Sequence, residues 1–143
     1  MPSNNPHILV TGGAGFIGSQ LTDYYLNKNC SVTVFDNLSW GKEKFLEKNY
    51  SNPKFQFRKV DLLDTKKTLE YLPVDIDTVF HLAANSDIMR GGSDPSIDYQ
   101  NTIQATFNLL TAMREKKIKR IFYTSGSGVY GEIGKVKVPE TYG

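Results

Sequence analysis

Residues 7–19 read HILVTGGAGFIGS. Five residues of strand character lead into Gly12, Gly15 and Gly18, and an apolar helical pattern starts inside the glycine run. A strand that passes through a glycine turn directly into a helix is the opening of a parallel α/β unit. Glycine at position 12 permits a tight turn, at 15 it leaves the backbone open to a pyrophosphate, and at 18 it lets the helix lie close to the sheet. Free N–H groups and the helix dipole at such a turn hold an anion. A glycine triplet alone is a weak signal, because glycines collect in any flexible turn, so the rest of the chain must support it.

Working outward, four further apolar runs are short enough to be buried strands: SVTVFD at 31–36, FQFRKVD at 55–61, TVFHLAA at 78–84 and RIFYTS at 120–125. Between strands lie residues at helical spacing, first Phe16, Ile17, Leu21, Tyr24 and Tyr25, later Ile97, Ile103, Phe107, Leu110 and Met113. The second set predicts one long helix over roughly 96–117. Near-continuous apolar strands alternating with helices indicate a parallel sheet covered on both faces, a doubly wound α/β fold. Stretches 37–44 (NLSWGKEK), 49–54 (NYSNPK) and 89–96 (MRGGSDPS) are predicted as loops from their Gly, Asn, Pro and Ser. The basic run 114–120 falls where the long helix ends, a place that favours cations, and is read as a solvated cap.

Composition narrows the function classes. With 143 residues a single core is expected, and 39% hydrophobic against 22% charged residues is enough apolar material to pack one. Lys and Arg number 17 against 15 acidic residues, a net charge of +2, so nucleic acid and anionic lipid find no broad attraction. Cys30 is the only cysteine, which excludes an internal disulfide and a cysteine-based zinc site; no metal site is expected. The polar start MPSNNPH and the lack of a long apolar run predict a cytoplasmic protein without a membrane span.

The second strand ends in Asp36, near the separation of about 20 residues at which a carboxylate meets an adenosine ribose. That points to NAD, since the carboxylate would repel the 2′-phosphate of NADP and Asn37-Leu38-Ser39 offers no arginine. The competing reading has Asp36 only starting a turn. His81, in an apolar strand, is read as a hydrogen-bonded core histidine rather than a base.

Six features in order carry a resemblance: the turn TGGAGFIGS, Asp36-Asn37, Val60-Asp61-Leu62, His81-Leu82-Ala83-Ala84, Asn101 opening a helix, and Val129-Tyr130-Gly131. Together they resemble the extended short-chain dehydrogenase/reductase superfamily and, within it, the NAD-dependent epimerases and dehydratases of nucleotide sugars, from His7 to Pro139. The resemblance implies a Rossmann-type doubly wound parallel sheet, truncated after about five strands, forming one incomplete NAD-binding domain over residues 1–143. It implies that the backbone of Phe16 and Ile17 meets the pyrophosphate beside Gly12, Gly15 and Gly18. Asp36 and Asn37 would hold the ribose, and Asp61 the adenine amino group with Leu62 beside the ring. Leu82, Ala83 and Ala84 would line the nicotinamide side, and Asn101 would contact the cofactor or brace the strand. The full-length parent would take a nucleotide sugar, and family members often pair through their long helices, so a homodimer is a possible assembly.

The family transfers a hydride between a sugar carbon and the nicotinamide. A Tyr-x-x-x-Lys pair supplies the base, and a Ser or Thr polarises the substrate hydroxyl. A phenol with a pKa near 10 needs a neighbouring cation to act at neutral pH. The expectation is that no tyrosine has a lysine four places on, neither Tyr123 and Tyr130 from the fifth strand onward nor Tyr24, Tyr25, Tyr50, Tyr71 and Tyr99 before it, and that Tyr142 stands too early for the motif. The expectation is that the dyad is missing by truncation and that this chain alone is inactive. The hydroxyl position, four residues before Tyr130, is Gly126; of its neighbours Ser125 and Ser127, Ser127 is the catalytic candidate, although on a strand both would point away from the side of Gly126. Two alternatives stay open: a non-catalytic dinucleotide sensor on the same fold, and an NADP-dependent reductase of the same superfamily.

Overall fold

The structure is a computed structural model that describes residues 5–131, 134 and 137–142. Five strands, β1 (His7–Thr11), β2 (Ser31–Asp36), β3 (Phe55–Lys59), β4 (Thr78–His81) and β5 (Ile121–Tyr123), form one sheet in the order β3-β2-β1-β4-β5. All four pairings are parallel. The chain builds outward from β1 to β3, then crosses back and places β4 on the other side of β1. The order therefore reverses at β1, the switch point at which open α/β sheets bind ligands.

At β1 and β2 both faces of the sheet are buried, which is why β1 reads as an unbroken apolar run, whereas the edge strands β3 and β5 stay largely exposed. Ile8 and Val10 face one cluster with Ala14, Leu26, Cys30, Val32, Val34 and Leu46, under helix α1 (Phe16–Asn27). Leu9 faces the other with Phe35, Val60, Leu72, Val79 and Leu109. That face is covered by α2 (Thr65–Tyr71), capped by the Asp64 carboxylate on the Lys67 N–H, and by α5 (Ala105–Glu115).

Three strands stop short of their apolar runs. β3 ends at Lys59 because the Asp61 side chain takes the Leu63 N–H at 2.9 Å and turns the chain. β4 ends at His81 because its neighbour β1 leaves the sheet at Gly12, and β5 ends at Tyr123 after the last bonds to the His81 carbonyl.

The segment predicted as a loop at 89–96 is largely helical. α3 (Ile88–Ser93) is capped by Asp87, whose Oδ1 accepts from the Arg90 N–H at 3.0 Å. α4 (Pro95–Asp98) is capped by Asp94 on the Ser96 N–H, with Pro95 in its first turn. Capping aspartates here outweigh the loop signal of the glycines. The predicted long helix exists as three consecutive runs, α4, a wide π-helical stretch Tyr99–Gln104, and α5. Asn101 therefore lies inside a helical run rather than opening one. No helix among the described residues is long and apolar enough to cross a membrane.

Candidate functional site

Register places the site. Thr11 pairs with Phe35 and with His81, and His81 pairs with Tyr123, so Gly12, Leu82 and Thr124, which follow their strands, and Asp36-Asn37 at the end of β2 emerge along one rim. A cavity of about 640 Å³ opens there. It is lined by all thirteen residues that the sequence assigns to a cofactor, Gly12, Gly15, Phe16, Ile17, Gly18, Asp36, Asn37, Asp61, Leu62, Leu82, Ala83, Ala84 and Asn101. Residues that the motifs did not single out, notably Ser39, Trp40, Gly41 and Thr124, complete the wall.

At the centre is the glycine turn. Gly12 has φ +70°, and a Cβ there would lie 2.8 Å from the Ala83 nitrogen, so only glycine lets β1 turn this close to the end of β4. Gly15 caps α1 without a side-chain bond, and a Cβ on it would meet nothing closer than the Gly12 carbonyl at 3.2 Å. The side chain would project into space that the turn leaves open. The first-turn N–H groups of Phe16 and Ile17 have no partner within their own helix. Their side chains are exposed, leaving the helix start accessible to an anion.

Toward β3, Asp36 is buried and its carboxylate is doubly held, Oδ2 by the Ala14 N–H at 3.0 Å and Oδ1 by the Leu38 N–H at 2.8 Å. It thus starts a turn, as the competing reading had it, and lines the cleft as well. The Asn37 amide donates to Asp61 at 3.3 Å, bringing those two side chains together although they follow different strands. Leu62, almost fully buried, belongs to the core and to the cleft wall at once.

Toward β4, His81 is 1% exposed and bonded on both sides, to the Thr11 hydroxyl at 2.6 Å and the Thr106 hydroxyl at 2.8 Å. Thr106 donates its own proton to the Thr102 carbonyl, so it accepts from His81 Nε2–H, and Nδ1 accepts from Thr11. Burial pushes the imidazole pKa down to about 4, which keeps it neutral and structural. The Asn101 amide donates to the Ile97 carbonyl at 2.9 Å, within its own helix. Bracing of the β4 end comes instead from Thr106 on His81 and from Thr102, which accepts the Asn85 N–H at 3.3 Å. Side-chain hydroxyls at helical spacing gave no signal in the sequence that would have separated them from ordinary helix residues.

Comparison with known proteins decides the affiliation. The sequence pattern of the NAD dependent epimerase/dehydratase family matches residues 8–142. The chain belongs to this family. A UDP-glucose 4-epimerase of Mycolicibacterium smegmatis is 36% identical over 124 residues, 86% of this chain and 40% of that protein. The structure of the Thermus thermophilus UDP-glucose 4-epimerase complexed with NAD is 32% identical with a TM-score of 0.79, over 95% of this chain and 43% of that one. The UDP-Glc/GlcNAc 4-epimerase of Campylobacter jejuni is 28% identical with a TM-score of 0.86, over 97% and 43%. The chain thus spans about 40% of the length of these epimerases.

After β5 come the residues among which the sequence reading sought a catalytic hydroxyl. Thr124 and Ser125 line the cleft, and the Thr124 hydroxyl donates to the His81 carbonyl at 3.2 Å. β5 has already ended there, so strand alternation does not turn Ser125 away as the sequence reading expected. A Cβ at Gly126 would meet no described atom within 4 Å. Ser127 begins a short 3-10 turn, Ser127–Tyr130, and its side chain lies outside the described ones.

The expectation that no tyrosine has a lysine four places on needs correcting: the spacing occurs at Tyr24 and Lys28 and at Tyr50 and Lys54. Both pairs sit where α1 ends and β3 begins, at the opposite end of the strands from the cleft. Lys28 Nζ lies over the face of the Tyr24 ring, 5.7 Å from its centre. Lys54 Nζ is held by the Asn29 carbonyl and side chain. Tyr50 donates to Glu43 at 2.6 Å, and loss of hydration, then that carboxylate, push its pKa up to about 12, the reverse of what a general base needs. Among the described residues no group of three or more metal-ligating side chains converges.

Proposed function

We propose that residues 1–143 are the NAD-binding part of a nucleotide-sugar epimerase or dehydratase. The observation that supports this best is the convergence of all thirteen candidate residues on one cleft at the switch point of the sheet. The cleft fits a dinucleotide on its own terms: a helix start with unpartnered N–H groups, an opening at Gly15 that a side chain would fill, and a fixed carboxylate at Asp36. Phe16 and Ile17 N–H groups hold the pyrophosphate, Asp36 and Asn37 accept and donate at the ribose, and Asp61 takes the adenine amino group. Ala83 and Ala84, being small, leave room against the end of β4. When bound, NAD would supply a hydride acceptor, and then donor, for a sugar carbon. The Tyr-Lys base has no counterpart facing the cleft among the described residues, so this chain alone gives no turnover.

Isothermal calorimetry with NAD and NADP tests the reading. NAD binding tighter than NADP is expected, and turnover assays with UDP-glucose are expected to be blank. Tighter NADP binding would favour a reductase of the same superfamily, and absence of both would remove the dinucleotide role. A sensor without catalysis is favoured by Gly126, which lacks the hydroxyl of the family position. Thr124 and Ser125 on the cleft wall favour the enzyme.

A further inference from the structure

The chain has one tryptophan, Trp40, and it stands in the cleft wall with 55% of its surface exposed. Its ring has no aromatic or cationic partner, and its indole N–H has no acceptor, among the described residues. A large aromatic left bare beside a cavity loses water when a flat ligand covers it. The segment that carries it is anchored rather than loose. Ala14 in the glycine turn donates its N–H to Asp36 and accepts at its carbonyl the Lys42 N–H at 2.9 Å, so residues 37–42 are strapped across the turn. Gly41 makes the strap possible: a Cβ there would lie 2.8 Å from both Asp36 carboxylate oxygens and from the Ala14 Cβ.

Trp40 is tied to the β2–β3 end of the cleft, because its strap begins at Asp36 and Asn37 reaches across to Asp61. Leu62, next to Asp61, gives that end an apolar surface. We propose that Trp40 is a specificity residue for the adenine half of the ligand, closing with its indole the face of a purine whose other face lies on Leu62. The inference rests on the dinucleotide reading above. It predicts discrimination between the two halves of the ligand: adenosine monophosphate engages Trp40, nicotinamide mononucleotide does not.

Because Trp40 is the only indole, its fluorescence reports on this end alone. With the 143-residue chain, saturating NAD and adenosine monophosphate are expected to quench and shift the emission, and nicotinamide mononucleotide to leave it unchanged. By calorimetry Trp40→Ala is expected to weaken NAD binding about five- to ten-fold, with Trp40→Phe within about two-fold of the parent, in line with base–aromatic stacking. Unchanged emission while calorimetry registers NAD, or a Trp40→Ala variant that binds NAD as tightly as the parent, would overturn the proposal and leave the dinucleotide reading standing. A parent chain that shows no NAD heat at all would overturn the dinucleotide reading and this inference with it.

Discussion

Gly18 of α1 lies directly on Gly12 of the turn: a Cβ at Gly18 would come within van der Waals overlap of the Gly12 carbonyl oxygen and lie 2.6 Å from the Gly13 Cα. The atoms it would meet are backbone, which cannot swing aside. Gly18→Ala therefore has to push α1 off the sheet. Overpacking of this kind costs about 1–3 kcal/mol, which a urea denaturation curve would register, and the displaced helix start should weaken anion binding in parallel. A variant as stable as the parent would contradict the contact.

Asp36 holds two backbone N–H groups while buried, so its removal leaves both without their acceptor. Asp36→Ala is expected to lower stability by about 2 kcal/mol, the range for hydrogen bonds to a charged group. It should also erase the preference for NAD over NADP. Asp36→Asn, which keeps one oxygen, should recover part of the stability and little of the preference, as calorimetry and denaturation on the two variants would separate.

Burial holds His81 well below its ordinary pKa of 6.5, at about 4, and its neighbours accept only the neutral ring without rearrangement. A base with a depressed folded pKa contributes stability that is complete above the unfolded value and is lost as pH falls. The loss should run from about pH 6.5 down through about pH 4 and reach about 3 kcal/mol. Denaturation midpoints measured across that window should fall for the parent and fall less steeply for His81→Gln.

Thr68 on α2 is fully buried, and its hydroxyl is the one buried side-chain polar atom without a partner among the described residues. Thr68→Val removes an unmet hydroxyl and keeps the shape. A gain of about 1 kcal/mol is expected, visible as a raised melting temperature, and a loss would mean that the hydroxyl finds a partner in solution.

The glycine turn, the five strands and the Asp36 position were legible because each follows from a local rule: short apolar runs for strands, and fixed glycine spacing for a turn packed tightly between β1 and α1. Helix α3 was not, since Arg90-Gly91-Gly92-Ser93 has loop composition and is held by a cap at Asp87 and by Gly91 lying against the Asp98 carboxylate. The π-helical stretch had no signature in residue spacing. Thr102 and Thr106 were missed as braces of β4 because their partners, Asn85 and His81, are distant in sequence and their pairing depends on how the helix lies over the sheet. The strap over the turn was invisible for the same reason: composition marked 37–44 as irregular, and only the fold shows that it closes on Ala14.

That closure makes Ala14 a shared hinge pin. One residue presents its N–H to the end of β2 and its carbonyl to Lys42, so neither the anion turn nor the strap can open without breaking a bond to the other. In amide hydrogen exchange the Ala14 and Lys42 protons should therefore open as a single cooperative unit, with one common opening free energy. A ligand gripping either segment would slow the exchange of both.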